Sequence, residues 1–387
     1  MESSQANAGG VGDSSHPAVG VPTGLDVDGP WAFAGGRWWW GQPELSDDPG
    51  VLDGSGTWTV CVPAKGSLIA ARFPHSVAAT PSASPPSPPT ADGPGSVWES
   101  SLELVGYTHR VAAIRGRIAD GDVYQVNLTL RLAGPRRNDH PGASAMALTV
   151  ALATTQRAPF AASLCLPELG VWVVGASPER FLRRDGELVV SEPIKGTAPT
   201  AAGLTAKDRA ENVMICDLVR NDLGRVCRPG TIEVPDLLRV EPHPGLVHLV
   251  TTVAGRLRPE VGWGQLLAAT FPPGSVTGAP KRAALEVIDR MEPLGRGPYC
   301  GALGWVDADA QRADLAVSIR TFWAAGDGSP HWRWTFGTGG AITWDSLAAD
   351  EWAETELKAD RLLRIAATPL DTTGGPLGVE DPAPRTW

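Results

Sequence analysis

Glu179 and Lys195 are the side chains of this sequence whose types and spacing most directly suggest chemistry. They lie on extended segments that flank residues 185–186, an Asp-Gly pair suited to the positive φ of a two-residue hairpin turn. Folding at that turn would place Glu179 opposite Glu192, and so within a few residues of Lys195. A carboxyl group and an amine held this close perturb each other's pKa and can share proton transfer. The ordinary alternative is a salt bridge at the surface.

Two acidic pairs have the spacing that suits a divalent cation. Asp208 and Glu211 are three residues apart on one predicted helix, as are Glu351 and Glu354 on another, with Lys358 one turn further on. Residues at this spacing lie side by side on a helix surface. If the two faces met, their carboxylate oxygens would bind Mg²⁺, with water or substrate in its remaining positions. The alternative is that both pairs face solvent; neither shows the Glu-x-x-His pattern of a di-iron site.

Two glycine-rich turns and one arginine are candidate positions for an anion. Residues 273–278 precede a predicted helix, whose N-terminus favours negative charge, and residues 337–340 follow a predicted strand. Neither completes a Walker loop, so a nucleoside triphosphate is not indicated. Arg320, near the end of an apolar strand, is either a carboxylate clamp or half of a structural ion pair. His248, inside an apolar run, is either a core histidine or a ligand contact.

Periodicity locates the elements that must position these side chains. Helices are predicted to end near residue 120 and to span residues 206–224, with a Thr205–Asp208 capping box, residues 277–291 and residues 347–365. Strands are predicted at 121–130, 161–165, 170–174, 299–306, 313–323 and 331–337. Strands and long helices that alternate without a regular βα repeat indicate an α+β fold.

Composition limits the partners and the compartment. The 387 residues carry a net charge of −10, which argues against nucleic acid or an anionic membrane surface as a partner. The five cysteines are scattered without a C-x-x-C pair, so neither a disulfide framework nor a zinc site is indicated, and reduced thiols in the cytoplasm are expected. Neither a secretion signal nor an apolar run of about 18 residues is found, so no membrane span is expected.

The chain divides by composition into five segments. Residues 1–25 are predicted to be disordered, residues 26–78 to form a short folded segment, and residues 79–97 to be a Pro/Ser-rich linker. Residues 98–367 form the main folded domain, and residues 368–387 are predicted to be a flexible tail.

Ten motifs that occur in order carry a resemblance to a known family. They are G-D-V-Y-Q-V-N-L, S-P-E-R-F-L, P-I-K-G-T, K-D-R-A-E-N-V-M-I-C-D-L-V-R-N-D-L, V-H-L-V, F-P-P-G-S-V-T-G-A-P-K, Y-C-G-A-L-G, S-I-R-T-F, G-T-G-G-A-I and E-W-A-E-T-E-L-K-A. Over about residues 101–366 the chain resembles the chorismate-utilising enzymes: anthranilate synthase component I, aminodeoxychorismate synthase component I and the isochorismate synthases. The resemblance implies an anthranilate synthase component I-like α/β/α sandwich, with two large antiparallel sheets, outer helices and a site in the cleft between halves.

Within this family, the resemblance makes Lys195 the residue that selects the reaction. Anthranilate synthases typically carry Ala at this position, whereas aminodeoxychorismate synthases carry Lys. The implied reaction replaces the C4 hydroxyl of chorismate with ammonia, giving 4-amino-4-deoxychorismate on the route to 4-aminobenzoate and folate. Lys195 would add to C2 as the hydroxyl leaves with the help of Glu179 as general acid/base, and ammonia would then enter at C4 and expel Lys195. Anthranilate formation, isochorismate formation with Lys195 as base, and a degenerate chorismate-binding regulatory subunit are the alternatives.

The same resemblance assigns roles to the other candidates. Glu211 and Glu354 match the main Mg²⁺ ligands, with Asp208 and Glu351 in accompanying positions. The residues that match the chorismate pocket are His248, Thr277, Tyr299, Arg320, Gly337, Gly339 and Lys358. Of these, Arg320 and Tyr299 would grip a carboxylate. Because no glutaminase segment with its Cys nucleophile is found, ammonia is expected from a separate glutamine amidotransferase subunit.

Overall fold

The computed structural model describes residues 18–82, 98–156, 158–243, 246–325 and 331–367. Most of the predicted disordered N-terminus and linker, and all of the predicted tail, lie outside these ranges. The helices are α1 (Leu104–Ala119), α2 (Pro141–Thr155), α3 (Ala206–Gly224), α4 (Trp263–Thr270), α5 (Lys281–Met291) and α6 (Ala348–Ala367). The predicted end of α1 and the predicted span and capping box of α3 are confirmed. Helix α2 was not predicted, because it is apolar on nearly every side and has no amphipathic stripe.

The strands of the described residues are mostly short. In chain order they are β1 (Ala18–Val19), β2 (Trp31–Ala34), β3 (Arg37–Trp40), β4 (Glu44–Ser46), β5 (Thr57–Val62), β6 (Ile69–Arg72), β7 (His75–Ala78), β8 (Pro81–Ser82), β9 (Glu99–Ser100), β10 (Gln125–Ala133), β11 (Phe160–Leu166), β12 (Val171–Ser177), β13 (Arg180–Asp185), β14 (Leu188–Glu192), β15 (Ile194–Ala198), β16 (Glu233–His243), β17 (Leu246–Arg256), β18 (Gly278–Ala279), β19 (Ala302–Asp307), β20 (Arg312–Val317), β21 (Thr321–Ala325) and β22 (Thr335–Ile342).

Two large antiparallel sheets carry the fold. The first has the order β18-β10-β22-β21-β12-β11-β2-β3-β7, with β9 also paired to β10. The second has the order β15-β17-β14-β13-β20-β19-β5-β6-β4, with β16 also paired to β17. Side chains of both sheets meet in one hydrophobic cluster, in which Leu164 and Val173 of the first join Leu303 and Leu315 of the second. The predicted α+β sandwich of two large antiparallel sheets is confirmed.

Helices cover both sheets. Helices α2 and α6 pack on the first sheet through residues such as Leu152 and Leu362, which join Trp172 and Phe322 in a second cluster. Helices α1 and α5 cover β10 on the same sheet in a third cluster. Helices α3 and α4 pack on the second sheet. Because α3 and α6 belong to different sheets, the acidic pairs on them can converge only if the two halves of the sandwich meet.

The early strands of the chain extend both sheets. Strands β2, β3 and β7 continue the first sheet beyond β11, and β5, β6 and β4 continue the second beyond β19. Strand β5 pairs with β19 along its whole length, from Thr57 opposite Asp307 to Val62 opposite Ala302. Strands β2 and β5 are thus paired directly to strands formed much later in the chain.

The hairpin that carries Glu179 differs from the prediction by one residue. Its turn is formed by residues 186–187, not 185–186, and Arg180, not Glu179, lies opposite Glu192. The first turn residue is Gly186, with φ of 60°. The Asp-Gly pair therefore correctly predicted a two-residue hairpin turn, but the turn lies one residue further along the chain. The pairing with Glu192 was therefore wrong, and Glu179 lies just before the ladder begins.

Two other predicted elements also differ. The strand predicted at 313–323 is two strands, β20 and β21, separated at Arg320, whose φ of 51° does not fit an extended strand. Residues 337–340, predicted as a turn, lie inside β22. Neither feature is visible in the sequence pattern. The left-handed backbone of Arg320 and the extended backbone of the glycines are both determined by neighbours that are distant in the sequence.

Candidate active site

Glu179 lies in the short connection between β12 and β13, where its side chain is buried with 4% exposure. Its backbone carbonyl accepts from the Val317 N–H at 3.0 Å, and its own N–H donates to the Ser177 hydroxyl at 3.2 Å. Burial raises the pKa of the Glu179 carboxyl to about 7, although contact with Ser275, the charge of Lys195 and a backbone amide act in the opposite direction. Both protonation states are therefore available near neutral pH, as a general acid/base requires.

Lys195 lies on β15 and meets Glu179 at a shared neighbour. Its Nζ donates to the backbone carbonyl of Ser275 at 2.9 Å. Burial lowers the pKa of Lys195, while the charges of Glu211, Glu179 and Glu354 act to raise it. No direct ion pair between Glu179 and Lys195 is found among the described residues, and Glu179 is buried, so the surface salt bridge is not what the structure shows. Instead, both side chains contact Ser275.

A buried ion pair supports the turn that carries Ser275. The guanidinium of Arg296 donates to the carbonyl that ends this turn at 2.7 Å and to the carbonyl of Asn127 on β10 at 2.9 Å. The same guanidinium binds both carboxylate oxygens of Glu292, at 2.6 and 2.8 Å. Arg296 thus ties the turn to the first sheet, while Ser275 contacts Lys195 of the second.

The residues after this turn are engaged in structural contacts. The Thr277 hydroxyl donates to the Pro273 carbonyl at 3.1 Å, so its proton is used within the turn. Lys281 Nζ lies 2.5 Å from Asp222 Oδ2 and donates to the Thr270 carbonyl at 2.8 Å. The pair between Lys281 and Asp222 anchors the start of α5 to α3.

Two of the four predicted metal-ligating carboxylates contact the ammonium of Lys207. Its Nζ lies 2.9 Å from Glu351 Oε1 and 3.8 Å from Glu211 Oε1. Burial acts to lower the pKa of Lys207, but its hydrogen bond and charge interaction with Glu351 raise it. Asp208 Oδ2 instead accepts from the N–H and hydroxyl of Thr205. As placed in the described ranges, no three Asp, Glu, His or Cys side chains are close enough together to hold a metal ion.

Helix α6 also brings Glu354 and Lys358 toward β15. Glu354 Oε1 lies 2.7 Å from Lys358 Nζ. Burial acts to raise the pKa of Glu354, but the neighbouring Lys358 lowers it below its ordinary value. Lys358 Nζ also donates to the Gly339 carbonyl at 3.2 Å. Since the charges of Glu354 and Lys358 both act on Lys195, these predicted site residues share one electrostatic environment.

The glycines of β22 are explained by close neighbours. A Cβ at Gly337 would lie 2.1 Å from Cγ of Tyr299, so only glycine lets this ring lie against the strand. A Cβ at Gly339 would lie 2.4 Å from the Leu128 carbonyl oxygen. Burial raises the pKa of Tyr299, so its phenol is protonated and able to donate a hydrogen bond at neutral pH.

Arg320 and His248 form a second polar group, since the charge of Arg320 acts on His248. Burial lowers the pKa of Arg320, as does the charge of Arg361, and no ion pair of Arg320 is found in the described part of the chain. Burial also lowers the pKa of His248 to about 4, with His243 and Arg320 acting in the same direction. His248 Nδ1 lies 2.8 Å from Thr197 Oγ1. A half-buried guanidinium near a neutral imidazole provides a place for an anionic group.

Gln125 is a candidate that the sequence analysis missed. Its side chain is fully buried, and neither its amide nitrogen nor its amide oxygen has a partner among the described residues. Val126 packs in the cluster under α1 and α5, so Gln125 points to the opposite face of β10, toward the second sheet. Buried polar groups are nearly always hydrogen-bonded. The sequence feature that could have revealed Gln125 is a polar residue at an inward-facing position of a strand with alternating side chains.

Within the described ranges, every helix is too short or too polar to cross a bilayer.

A family model and individual relatives both relate this chain to enzymes that are named for reactions of chorismate. A family model described as chorismate binding enzyme matches residues 64–364. Aminodeoxychorismate synthase component 1 of Klebsiella aerogenes is 39% identical over 283 residues, which cover 69% of this chain and 59% of that protein. Anthranilate synthase component 1 of Streptomyces coelicolor is 40% identical over 278 residues, which cover 69% of this chain and 52% of that protein. The chain thus matches about three fifths or less of the length of these relatives.

Solved structures share the fold at low sequence identity. Anthranilate synthase component I from Streptococcus pneumoniae aligns with a TM-score of 0.68 at 21% identity, over 93% of this chain and 95% of that one. The menaquinone-specific isochorismate synthase from Escherichia coli aligns with a TM-score of 0.67 at 17% identity, over 91% and 95% of the two chains. These likenesses establish the arrangement of sheets and helices.

Proposed function

Because this chain belongs to the chorismate binding enzyme family, we propose that it converts chorismate and ammonia to 4-amino-4-deoxychorismate, as component I of an aminodeoxychorismate synthase. Relatives named aminodeoxychorismate synthase component 1, at 37% to 39% identity, support this choice. The observation that carries it is the meeting of Lys195 and Glu179 at Ser275, one with a lowered pKa and the other with a raised pKa. The route to 4-aminobenzoate and folate is part of the proposal.

Lys195 is proposed as the nucleophile. Burial favours its neutral amine, which is the form that can attack carbon. Its nitrogen forms a bond to C2 of chorismate, the ring double bonds shift, and the C4–O bond breaks. Ammonia then bonds to C4, the double bonds shift back, and the C2–N bond to Lys195 breaks. The net change is the exchange of the C4 hydroxyl for an amino group.

Glu179 is proposed as the general acid and base of the same steps. Hydroxide is a poor leaving group, so the departing C4 oxygen must take a proton, and it leaves as water. The raised pKa of Glu179 keeps a substantial fraction protonated near neutral pH. The resulting carboxylate can then accept the proton that the incoming ammonia releases.

Mg²⁺ is proposed as the cofactor, and the donor chemistry fits it. The candidate ligands are all carboxylate oxygens, which magnesium prefers, and two of them already converge on one cation, the ammonium of Lys207. Glu211 and Glu354 would hold the ion, with Asp208 and Glu351 in accompanying positions. When bound, the ion would neutralise the ring carboxylate of chorismate.

The remaining residues are proposed to bind the substrate. Arg320 and the Tyr299 phenol would grip the second carboxylate of chorismate, beside His248. Lys358 and the backbone of Gly339 would line the pocket near the ring carboxylate. Gln125 is added to this set because its buried amide has no partner within the described residues. These local groups would bind a dianion despite the net charge of −10.

A separate glutamine amidotransferase subunit is proposed as the source of ammonia. The support is the designation "component 1" in the names of the relatives. A cytoplasmic location is proposed as well, since the five cysteines are free thiols and all buried.

The test is a product assay. Purified protein is incubated with chorismate, Mg²⁺ and ammonium, with and without an added aminodeoxychorismate lyase. The expected result is 4-aminobenzoate only when the lyase is present. Anthranilate, isochorismate or salicylate as product would refute the proposal in favour of a related reaction. Binding of chorismate without turnover, even with a glutaminase partner, would instead indicate a regulatory subunit.

A further inference from the structure

Lys207 is the only cation that joins α3 to α6 in the described residues, and it does so at the proposed metal ligands. Its ammonium hydrogen-bonds Glu351 Oε1 at 2.9 Å and lies 3.8 Å from Glu211 Oε1. The Glu351 side chain is 5% exposed and the Glu211 side chain 14%, whereas Lys207 is 43% exposed. The two carboxylates are thus held in the interior, and the amine reaches them from solvent.

The carboxylates need a cation to stay together. Glu211 and Glu351 act on each other as like charges, and burial raises the pKa of Glu211. The Oε1 atom of Glu351 also accepts from the Ser346 hydroxyl at 2.6 Å, which fixes its orientation toward Lys207. Carboxylates held out of solvent near each other are stabilised by a nearby positive charge. In this structure Lys207 supplies that charge.

We propose that Lys207 competes with Mg²⁺ for Glu211 and Glu351, and that binding of the ion releases the Lys207 ammonium into solvent. The inference rests on the proposed function for the identity of the ion. A metal ion and an ammonium cannot share these oxygens without strong repulsion between two cations a few ångströms apart. Because Lys207 is almost half exposed, its side chain can leave without unfolding any element. The proposal also accounts for carboxylates that are close to one cation but not arranged as a ligand set.

The other charges near Lys207 do not offer it an equivalent site. Glu354 acts on Lys207 but is paired to Lys358 at 2.7 Å, and Lys195 is a second cation whose charge acts on Glu211. Asp208 is engaged with Thr205. Displacement of Lys207 therefore leads to solvent and not to a second internal carboxylate.

Magnesium affinity measured without substrate tests the competition. Isothermal titration of Mg²⁺ into wild type and Lys207→Met should show about twofold to fivefold tighter binding by the variant, because a partly exposed ion pair no longer has to be broken. Arg209→Met is the matched control: it removes one positive charge from the same helix, at a position that makes none of the ion pairs found in the described residues. Equal or weaker binding by Lys207→Met than by Arg209→Met overturns the proposal. Lys207→Gln gives the same comparison if the Met variant does not fold.

Amine labelling of the wild-type protein gives a second test. Brief acetylation by an N-hydroxysuccinimide ester, read by mass spectrometry, should modify Lys207 several-fold faster with saturating Mg²⁺ than without it. Lys65, which is 69% exposed, and Lys281, which is buried against Asp222, serve as internal references whose rates should not change. A rate at Lys207 that is unchanged or falls overturns the proposal.

These readouts separate the inference from the proposed reaction. Neither the titration nor the labelling uses chorismate or turnover. If the product assay succeeds and Lys207→Met binds Mg²⁺ no more tightly, only the competition is refuted. If the product assay fails and the competition is observed, the reaction is refuted and the role of Lys207 stands.

Discussion

Replacing Glu179 with Gln should remove most turnover and also make the stability of the fold less sensitive to a rise in pH. Burial raises the pKa of Glu179 from its ordinary value of 4.5 to about 7, so the folded protein keeps a proton that the unfolded chain releases. The unfolding free energy of wild type must therefore fall as pH rises through that window. From pH 5 to pH 8, the fall due to Glu179 is about 2 to 3 kcal/mol.

Urea denaturation at these two pH values measures the effect. Because the amide does not ionise, the stability of Glu179→Gln relative to wild type should rise by about 2 to 3 kcal/mol from pH 5 to pH 8. Glu187→Gln is the matched control, since Glu187 lies at the turn of the same hairpin and its side chain is 48% exposed. Its stability relative to wild type should not show this rise. If Glu179→Gln does not show it either, Glu179 is not held protonated in the folded protein.

Kinetics complete the prediction. Loss of a general acid should lower kcat by about 10² to 10⁴-fold. Wild-type activity should fall as pH rises through about 7, because the protonated form of Glu179 is lost there, and the variant should lack this alkaline limb. The lyase-coupled assay at a constant concentration of free ammonia measures both. Wild-type turnover by Glu179→Gln would refute the acid role.

Three further changes have defined outcomes. Lys195→Ala should lose nearly all ammonia-dependent product formation, measured with added lyase; turnover equal to wild type would refute the nucleophile role. Gln125→Leu should raise KM for chorismate while stabilising the fold by about 1 kcal/mol in urea, because it removes an amide without partners. An unchanged KM would show that Gln125 does not face the substrate. Asp222→Asn should destabilise the protein by about 3 kcal/mol by leaving the buried Lys281 unpaired, and a double variant with Lys281→Met should recover much of this loss; no loss in the single variant would contradict it.

The elements that were predicted correctly are those decided by residues close together in the sequence. Helix α3 begins after its Thr205 cap and ends at Gly224, where its helical sequence pattern also ends. Both signals are local in the sequence. The hairpin was predicted correctly, but its register was wrong by one residue. The register also depends on pairing with β20 and on a bulge after Arg180. The break at Arg320 is likewise imposed by packing between strands.

The candidate site shows the same limit more strongly. Residue types at Glu179 and Lys195 suggested acid and amine chemistry, but their shared contact at Ser275 joins positions 80 residues apart. The contact of Lys207 with Glu351 spans 144 residues, and no spacing on either helix indicates it. Gln125 was overlooked because an unpartnered amide is visible only after every neighbour has been placed.

The pairing of β5 with β19 has a consequence during synthesis. Their residues are about 240 positions apart, so at ordinary translation rates β5 waits about 12 to 50 seconds for its partner to leave the ribosome. Trp58 and Val60, buried in the finished protein, belong to this waiting strand. An apolar strand with one open edge is a template for pairing with other chains. The aggregation-prone stage of this protein is therefore expected to be the growing chain, which makes its yield dependent on chaperones and on the speed of translation.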